Sequence, residues 1–331
     1  MEPKVQNIHI QAAGPGVDND SSFQRHYAPI YLYDGEKEEV QRIGQKHVCR
    51  FCGNTESKKF KNIAHTIPQC TGNKTLFSLD ECDDCNSIFS RYETDFSAHG
   101  LTMRTLLGMK GKSGFPKIKT PKFSMERDEG GLRSHINTSK EIPHKDGRDP
   151  EVVFKVDFAN NTQVVEIGLP GEPHRPLYVF KSLLKMAFSV MPTTENIDTD
   201  FEDLKVFLLN IDARLNDDGD TMFFNMFHNT LSMVPRKPLL ILSKKRDPNQ
   251  NMPTYCLVML YGAFTYQVFL PFYEQDKWLR TNSENRLLIL PEFLHYEGEE
   301  GHCNWINGNS VNLVRGKPLR FNSYGNINSH K

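Results

Sequence analysis

Apolar positions along the chain switch between a period of two and a period near 3.6, which predicts short strands mixed with helices. Alternation at Val5–Ile10 and Ala28–Tyr33 predicts two strands with GPGVDNDSS as a loop between them. Val152–Phe158 and Gln163–Leu169 alternate on either side of Ala159-Asn160-Asn161-Thr162, a hairpin signal. In Leu177–Met191 the residues Val179, Leu183, Leu184, Ala187, Phe188 and Met191 recur at helical spacing, and Pro192 stops the pattern. A second helix is expected over Phe201–Asn210 with Thr199 or Asp200 as its cap. Strands are expected at Thr221–Phe227, Leu239–Ser243, Tyr255–Tyr261, Phe264–Leu270 and Arg286–Leu290, with a hairpin about Gly262. Phe223, Phe224 and Phe227 read as core, and the final SYGNINSHK reads as a frayed end.

Between these regions, Lys59–Ile67 and Leu76–Leu79 can be strands joined by a Gly-Asn turn, and a helix is expected from Asp83 to about Ala98. After the apolar stretch Leu101–Met109 comes GKSGFPKIKTPKF and then a polar run, read as an extended connection over the surface. The expected organisation is therefore an N-terminal extension with short strands (1–45), a compact module (46–98), a basic connection (99–150) and a second domain (151–331). The boundary falls near Asp149–Pro150, and the fold class is α+β.

Composition narrows the class. The 331 residues suit two domains of about 100–200 residues each better than one. Hydrophobic content of 38% and charged content of 24% fit a globular chain and not a disordered one. No apolar run of about 18 residues exists to span a bilayer, and MEPKVQNIHIQ has no secretion-signal pattern, so the expected compartment is the cytoplasm. The net charge of −1 hides an asymmetry: 41–75 holds seven Lys/Arg against the single acid Glu56, and 96–125 holds six and no acid. A basic stretch on a neutral chain suggests contact with a polyanion.

Of the seven cysteines, Cys70, Cys256 and Cys303 are singletons. The other four form two CxxC pairs, Cys49–Cys52 and Cys82–Cys85, with 29 residues between the inner members. Each pair can present two thiolates from one tight turn, and two such turns complete a tetrahedral sulfur site suited to Zn²⁺. Two redox CxxC motifs are the weaker reading.

Between and after the pairs stand Ile63-Ala64-His65-Thr66-Ile67-Pro68, Gly72-Asn73, then Cys85-Asn86, Phe89 and Glu93. In order and spacing these residues resemble the HNH endonucleases, the ββα-metal nucleases, in the subgroup braced by a four-cysteine zinc site. The resemblance covers about residues 46–98. It implies a zinc-braced ββα module cutting phosphodiester bonds of DNA, expected to be double-stranded, with His65 as general base and Asn86 holding one divalent ion, Mg²⁺ or Mn²⁺. It maps a loop-fixing asparagine to Asn73, which would orient His65. Many relatives carry Asp or Glu immediately before the base; here that residue is Ala64. Glu93, seven residues beyond Asn86, is about 10 Å further along a helix and is read as orienting a neighbour or pairing with a base. Asp83 and Asp84 would complement the helix N-terminus.

Candidate phosphate contacts are Lys59 and Lys61 before the histidine, and Arg104, Lys110, Lys112, Lys117 and Lys119 in the connection. GKSG lacks the upstream glycine of a nucleotide-hydrolase phosphate loop. In 151–331 the isolated His174, His228, His295 and His302 read as core or surface histidines, and Trp278 and Trp305 as possible anchors without a spacing argument. That half is large enough to bind DNA, form a homodimer, or sense a regulatory partner that licenses cutting. By family analogy the layout suits bacterial restriction or anti-phage defence. The alternative reading is a non-catalytic zinc module that binds nucleic acid or a protein partner.

Overall fold

A computed structural model describes residues 10–13, 23–120, 123–136, 151–157, 162–169, 171–195, 197–215, 222–228, 236–250, 252–262, 264–277, 286–289, 303–307, 312–313 and 319–326. The first part of the chain forms β1 (Ile10–Ala13), α1 (Phe23–His26), β2 (Tyr27–Asp34), β3 (Gln41–Ile43), β4 (Ala64–His65) and β5 (Leu76–Ser78). Next come α2 (Asp83–His99), α3 (Leu101–Leu107), β6 (Lys117–Lys119), β7 (Phe123–Asp128) and β8 (Gly131–Ile136). Then follow β9 (Glu151–Asp157), β10 (Thr162–Leu169), α4 (Pro176–Val190), α5 (Glu202–Leu209) and β11 (Met222–His228). The rest is strand: β12 (Leu239–Lys245), β13 (Tyr255–Tyr261), β14 (Phe264–Phe269), β15 (Arg286–Ile289), β16 (Cys303–Asn307) and β17 (Leu319–Asn326). The class is α+β.

The six-stranded antiparallel sheet runs β16-β11-β14-β13-β12-β2. Its hairpin β13–β14 turns at Gly262, whose φ of +60° suits a residue without a Cβ. Every residue of those two strands is buried, so they read as continuous apolar runs and not as an alternation. The edge strand β2 comes from far upstream and pairs antiparallel with β12, Tyr33 facing Leu240. A second sheet, β3-β5-β4, carries the histidine segment, with β3 parallel and β4 antiparallel to β5. Smaller sheets are β6-β7-β8, β17-β10-β9 and β1-β15.

One core runs through the cysteine module and the sheet, from Cys49, Phe51, Phe89 and Tyr92 through α4 to Leu257 and Tyr266. Polar links cross the same ground. Arg50 Nη1 donates to the carbonyls of Phe188 at 2.8 Å and Met191 at 2.5 Å, Tyr92 Oη to Leu208 O at 2.8 Å, and Tyr261 Oη to Cys70 O at 3.0 Å. These links join the cysteine module to α4, α5 and the six-stranded sheet, and the expected boundary at Asp149–Pro150 lies outside the described residues. The helix Leu177–Met191, amphipathic in sequence, lies between the module and the sheet with nearly all its faces covered.

Other expectations shift for local reasons. The strand expected over Lys59–Ile67 is only Ala64–His65. Asp83 accepts the backbone N–H groups of Lys61 and Asn62, each at 3.1 Å, so those groups are unavailable to a ladder. The connection expected at 99–150 contains α3 and the sheet β6-β7-β8, because Ile118, Phe123 and Met125 bury one face. Helix α5 starts after Phe201 with no side-chain cap, while Thr199 donates to Asp200 instead. The expected frayed tail enters β17 as far as Asn326. Residues 5–9 of the first expected strand, with Trp278, His295 and His302, lie outside the described residues.

Candidate active site and metal centre

The first cysteine pair sits in a tight turn. Cys49 N–H donates to Asn54 O at 2.8 Å, Gly53 N–H to Cys49 O at 2.8 Å, and Gly53 adopts a φ of +71°. The second pair begins α2, with Cys82 as its N-cap residue and Asp83 and Asp84 in the first turn. The four sulfurs all lie within 4.8 Å of one another, Cys49 to Cys85 at 3.7 Å and Cys52 to Cys82 at 3.6 Å. A tetrahedron with metal–sulfur bonds of about 2.3 Å has sulfurs roughly 3.8 Å apart. The four cysteines are thus positioned to hold a metal ion, and the geometry is compatible with structural zinc.

The chemistry of the donor set agrees. The sulfur–sulfur hydrogen bond shared with Cys85 pulls the Cys49 thiol down to about 5, and the same contact drives Cys85 up. Burial pushes Cys82 up to about 12. Sulfurs this close ionise together only when a cation neutralises them. The Cys82 backbone N–H also donates to Cys49 Sγ at 3.5 Å, a bond that favours the thiolate.

A buried ionic bracket anchors this centre. Arg50, inside the first pair, meets Asp80 at 2.8 Å, with side chains 4% and 6% exposed. Asp80 also accepts from Ser78 Oγ at 2.7 Å. Its carboxylate fills the space where a Cβ on Gly44 would stand, so position 44 requires glycine on two counts, that approach and its φ of +83°.

His65 ends β4, opposite Phe77 of β5, whose ring lies 4.8 Å away. Gln69 hydrogen-bonds its Nε2, while Nδ1 is buried with no hydrogen-bond partner among the described residues. The His65 carbonyl accepts from Lys185 Nζ at 2.8 Å. Lys185 belongs to α4, is 1% exposed, and also lies 3.1 Å from Glu81 and 3.5 Å from Glu93. Burial lowers the basicity of Lys185, but the two carboxylates more than offset that and hold it charged. Glu93 thus pairs with a base, as its spacing from Asn86 suggested; that the base is Lys185 could not be read from sequence. Burial first, then the charges of Lys185 and Lys112, lowers His65 to about 4. Its imidazole is therefore neutral at pH 7 and a weaker base than a free one.

Asn73 is buried and fully engaged. Its Oδ1 accepts from Tyr33 Oη at 3.1 Å and from the backbone N–H groups of Thr75 and Leu76 at 3.1 and 2.9 Å. Its Nδ2 donates to the carbonyls of Ile67 and Leu76 at 2.8 and 3.0 Å. These bonds fasten the loop that follows His65. Asn86 lies in the first turn of α2, half-buried, and its side-chain amide makes no hydrogen bond among the described residues. Ala64 is buried, on the strand face opposite His65. Asp83 is engaged by the 61–62 backbone and Asp84 by Lys59 at 2.8 Å. Among the described residues no second cluster of three or more His, Cys, Asp or Glu side chains could hold a metal.

The basic candidates separate into groups. Arg104 is buried, not presented to a polyanion: it donates to Ser97 O, Ser97 Oγ and Cys70 O at 2.8, 2.8 and 3.1 Å. Lys59, Lys110 and Lys117 meet Asp84, Glu129 and Glu126 at 2.8, 3.9 and 2.5 Å, exposed pairs of little net strength. Lys61, Lys112 and Lys119 are exposed. Beside Gln69 opens a cleft of about 440 Å³, walled by the loop Pro68–Cys70, one face of α2 and the turn Gly111–Pro116.

No helix of the described residues is long and apolar enough to cross a membrane. No family model, no curated protein and no solved structure matches the chain.

Proposed function

We propose that this chain is an HNH-type endonuclease, a zinc-braced ββα module that hydrolyses phosphodiester bonds of DNA with His65 as general base. The observation that carries the reading is the placement of His65 at the end of a short strand, its carbonyl held by a buried lysine and its ring bonded to Gln69, which lines the cleft. The order β4, β5, α2, with the cysteine cluster at the start of α2, supports the same reading. In this role the sulfur-bound metal is structural Zn²⁺.

In the proposed step a water oxygen attacks phosphorus, His65 accepts the water proton, and the P–O3′ bond breaks in line, the departing oxygen taking a proton from solvent. Burial and Lys185 keep the imidazole unprotonated before the step. Lys185 and Asn73 fix the backbone at His65 and at Ile67, two residues on, which limits the geometry in which the proton is taken. Asn86 offers one amide oxygen to Mg²⁺ or Mn²⁺, an arrangement such ions accept because they keep several waters and substrate oxygens. A divalent ion there would neutralise the phosphoryl oxygens and the leaving 3′ oxygen. Ala64 contributes no ligand, so the ion would depend on the substrate for its affinity.

The test is supercoiled plasmid incubated with the full chain in Mg²⁺ or Mn²⁺, compared with Asn86→Ala. Relaxed or linear product that needs the divalent ion and falls sharply in the variant supports the reading. Intact plasmid with every metal overturns it and leaves the non-catalytic zinc module. Service in anti-phage defence, with a regulatory partner or a second copy, is a further layer of the same proposal.

A further inference from the structure

We propose that the cleft beside Gln69 receives one unpaired nucleotide of a DNA strand, its base against Phe115 and its phosphate at Lys112, so that the enzyme's substrate is single-stranded or locally opened DNA. The orientation toward His65 rests on the nuclease reading above; occupation of the cleft does not.

The walls are fixed. Cys70 O is held from two sides, by Arg104 at 3.1 Å and by Tyr261 at 3.0 Å. Arg104 in turn clamps Ser97 of α2, so loop and helix keep their spacing. The third wall is a turn closed by paired bonds between Gly111 and Gly114, 2.9 and 3.3 Å, and a Cβ on Gly111 would lie 3.4 Å from Cys70 Cα. This close backbone approach sets Lys112 at the cleft mouth, where its charge is felt at the His65 ring.

The lining fits a nucleotide. The volume of about 440 Å³ falls in the range of small-ligand sites, roughly 300–1,000 Å³, and has no room for a duplex. The α2 wall is polar, with Ser90 and Thr94 donating to the carbonyls of Ser87 and Ser90 at 2.8 Å each and Ser97 Oγ accepting from Arg104 at 2.8 Å, so the donor offered to a phosphate is the exposed Lys112 ammonium. The acid in the lining, Glu93, is paired with Lys185, so it repels an anion weakly. Phe115 adds an aromatic surface with the Lys110 ammonium 4.6 Å from its centroid. Base stacking on an aromatic together with a flanking cation is how single strands are held without reading sequence.

The test uses the full metal-bound chain and a fluorescent 12-mer, as a single strand and as its blunt duplex, in Ca²⁺ for binding and in Mg²⁺ for cleavage. The single strand is expected to bind at least tenfold tighter than the duplex. Phe115→Ala should weaken single-strand binding about tenfold or more, Phe115→Trp should restore it, and Lys112→Ala should weaken it with a shallower salt dependence. Lys277→Ala, an exposed lysine near the end of the sheet region, should change neither. Equal affinity for the two forms, or a Phe115→Ala protein that folds and binds like wild type, overturns the cleft assignment even if plasmid is cut. Phe115-dependent binding without cleavage in any metal supports the cleft and overturns the nuclease reading instead.

Discussion

The two ends of α2 are held in opposite ways. Its N-terminal turn carries two of the four clustered sulfurs, and the Arg50–Asp80 pair beside it locks the cysteine turn onto the C-terminal carbonyls of α4. There, buried charges are matched. Its C-terminal half turns Glu93, Thr94 and Ser97 toward a cleft lined by one exposed lysine, Lys112. One end is built for rigidity, where removing a group leaves another unmatched. The other exposes Lys112 and the half-buried Phe115 at a cleft, where removing one changes binding more than folding.

The largest effect should come from breaking the rigid end. Cys85→Ser, or chelation, should release one metal and cost on the order of 10 kcal/mol. Because Cys49 and Cys85 share one core with α4 and the six-stranded sheet, unfolding should remain a single transition. Denaturant melts read by far-UV dichroism, with metal content measured alongside, check this; two separated transitions would show an independent module. Asp80→Ala should come next, at about 3–5 kcal/mol, since it strands the buried Arg50 guanidinium. Asn73→Ala removes an acceptor and a donor shared by five bonds and should cost about 2–4 kcal/mol, with lower cleavage even below the melting temperature.

The open end should show itself in pH and salt instead. The folded His65 pKa, about 4, lies below its unfolded value of about 6.5. As pH falls between those values the unfolded chain binds the proton first, so this residue makes the fold less stable toward acid. The acid limb of kcat/KM should correspondingly lie below 6.5, and a limb at or above 6.5 would place the base elsewhere. Smallest of all, Lys119→Ala should leave stability unchanged and reduce the salt slope of DNA binding by about one.

How much of this was legible in the sequence follows from the range of each interaction. The cysteine spacing is local and names its own partners, and the four sulfurs do converge. Helix α2 and the β13–β14 hairpin were readable because cap, period and turn lie within one segment. The strand about Lys59 was misjudged because a distant carboxylate, Asp83, takes its N–H groups. Lys185 is the clearest omission. In an amphipathic helix it reads as a solvated lysine, and only tertiary packing places it against Glu81, Glu93 and the His65 carbonyl. The pairing of β2 with β12 across some two hundred residues was hidden for the same reason. Arg104 looked like part of a basic tract, yet its carbonyl partners turn it into a tie between loop and helix.

The most direct test of the central claim is single-turnover cleavage of a labelled DNA strand by His65→Ala and wild type, both loaded with metal at the cysteine cluster and equal in melting temperature. If His65 is the base, the variant should lose about 10²–10⁴-fold in rate with substrate affinity retained. Cleavage by His65→Ala at the wild-type rate would contradict it.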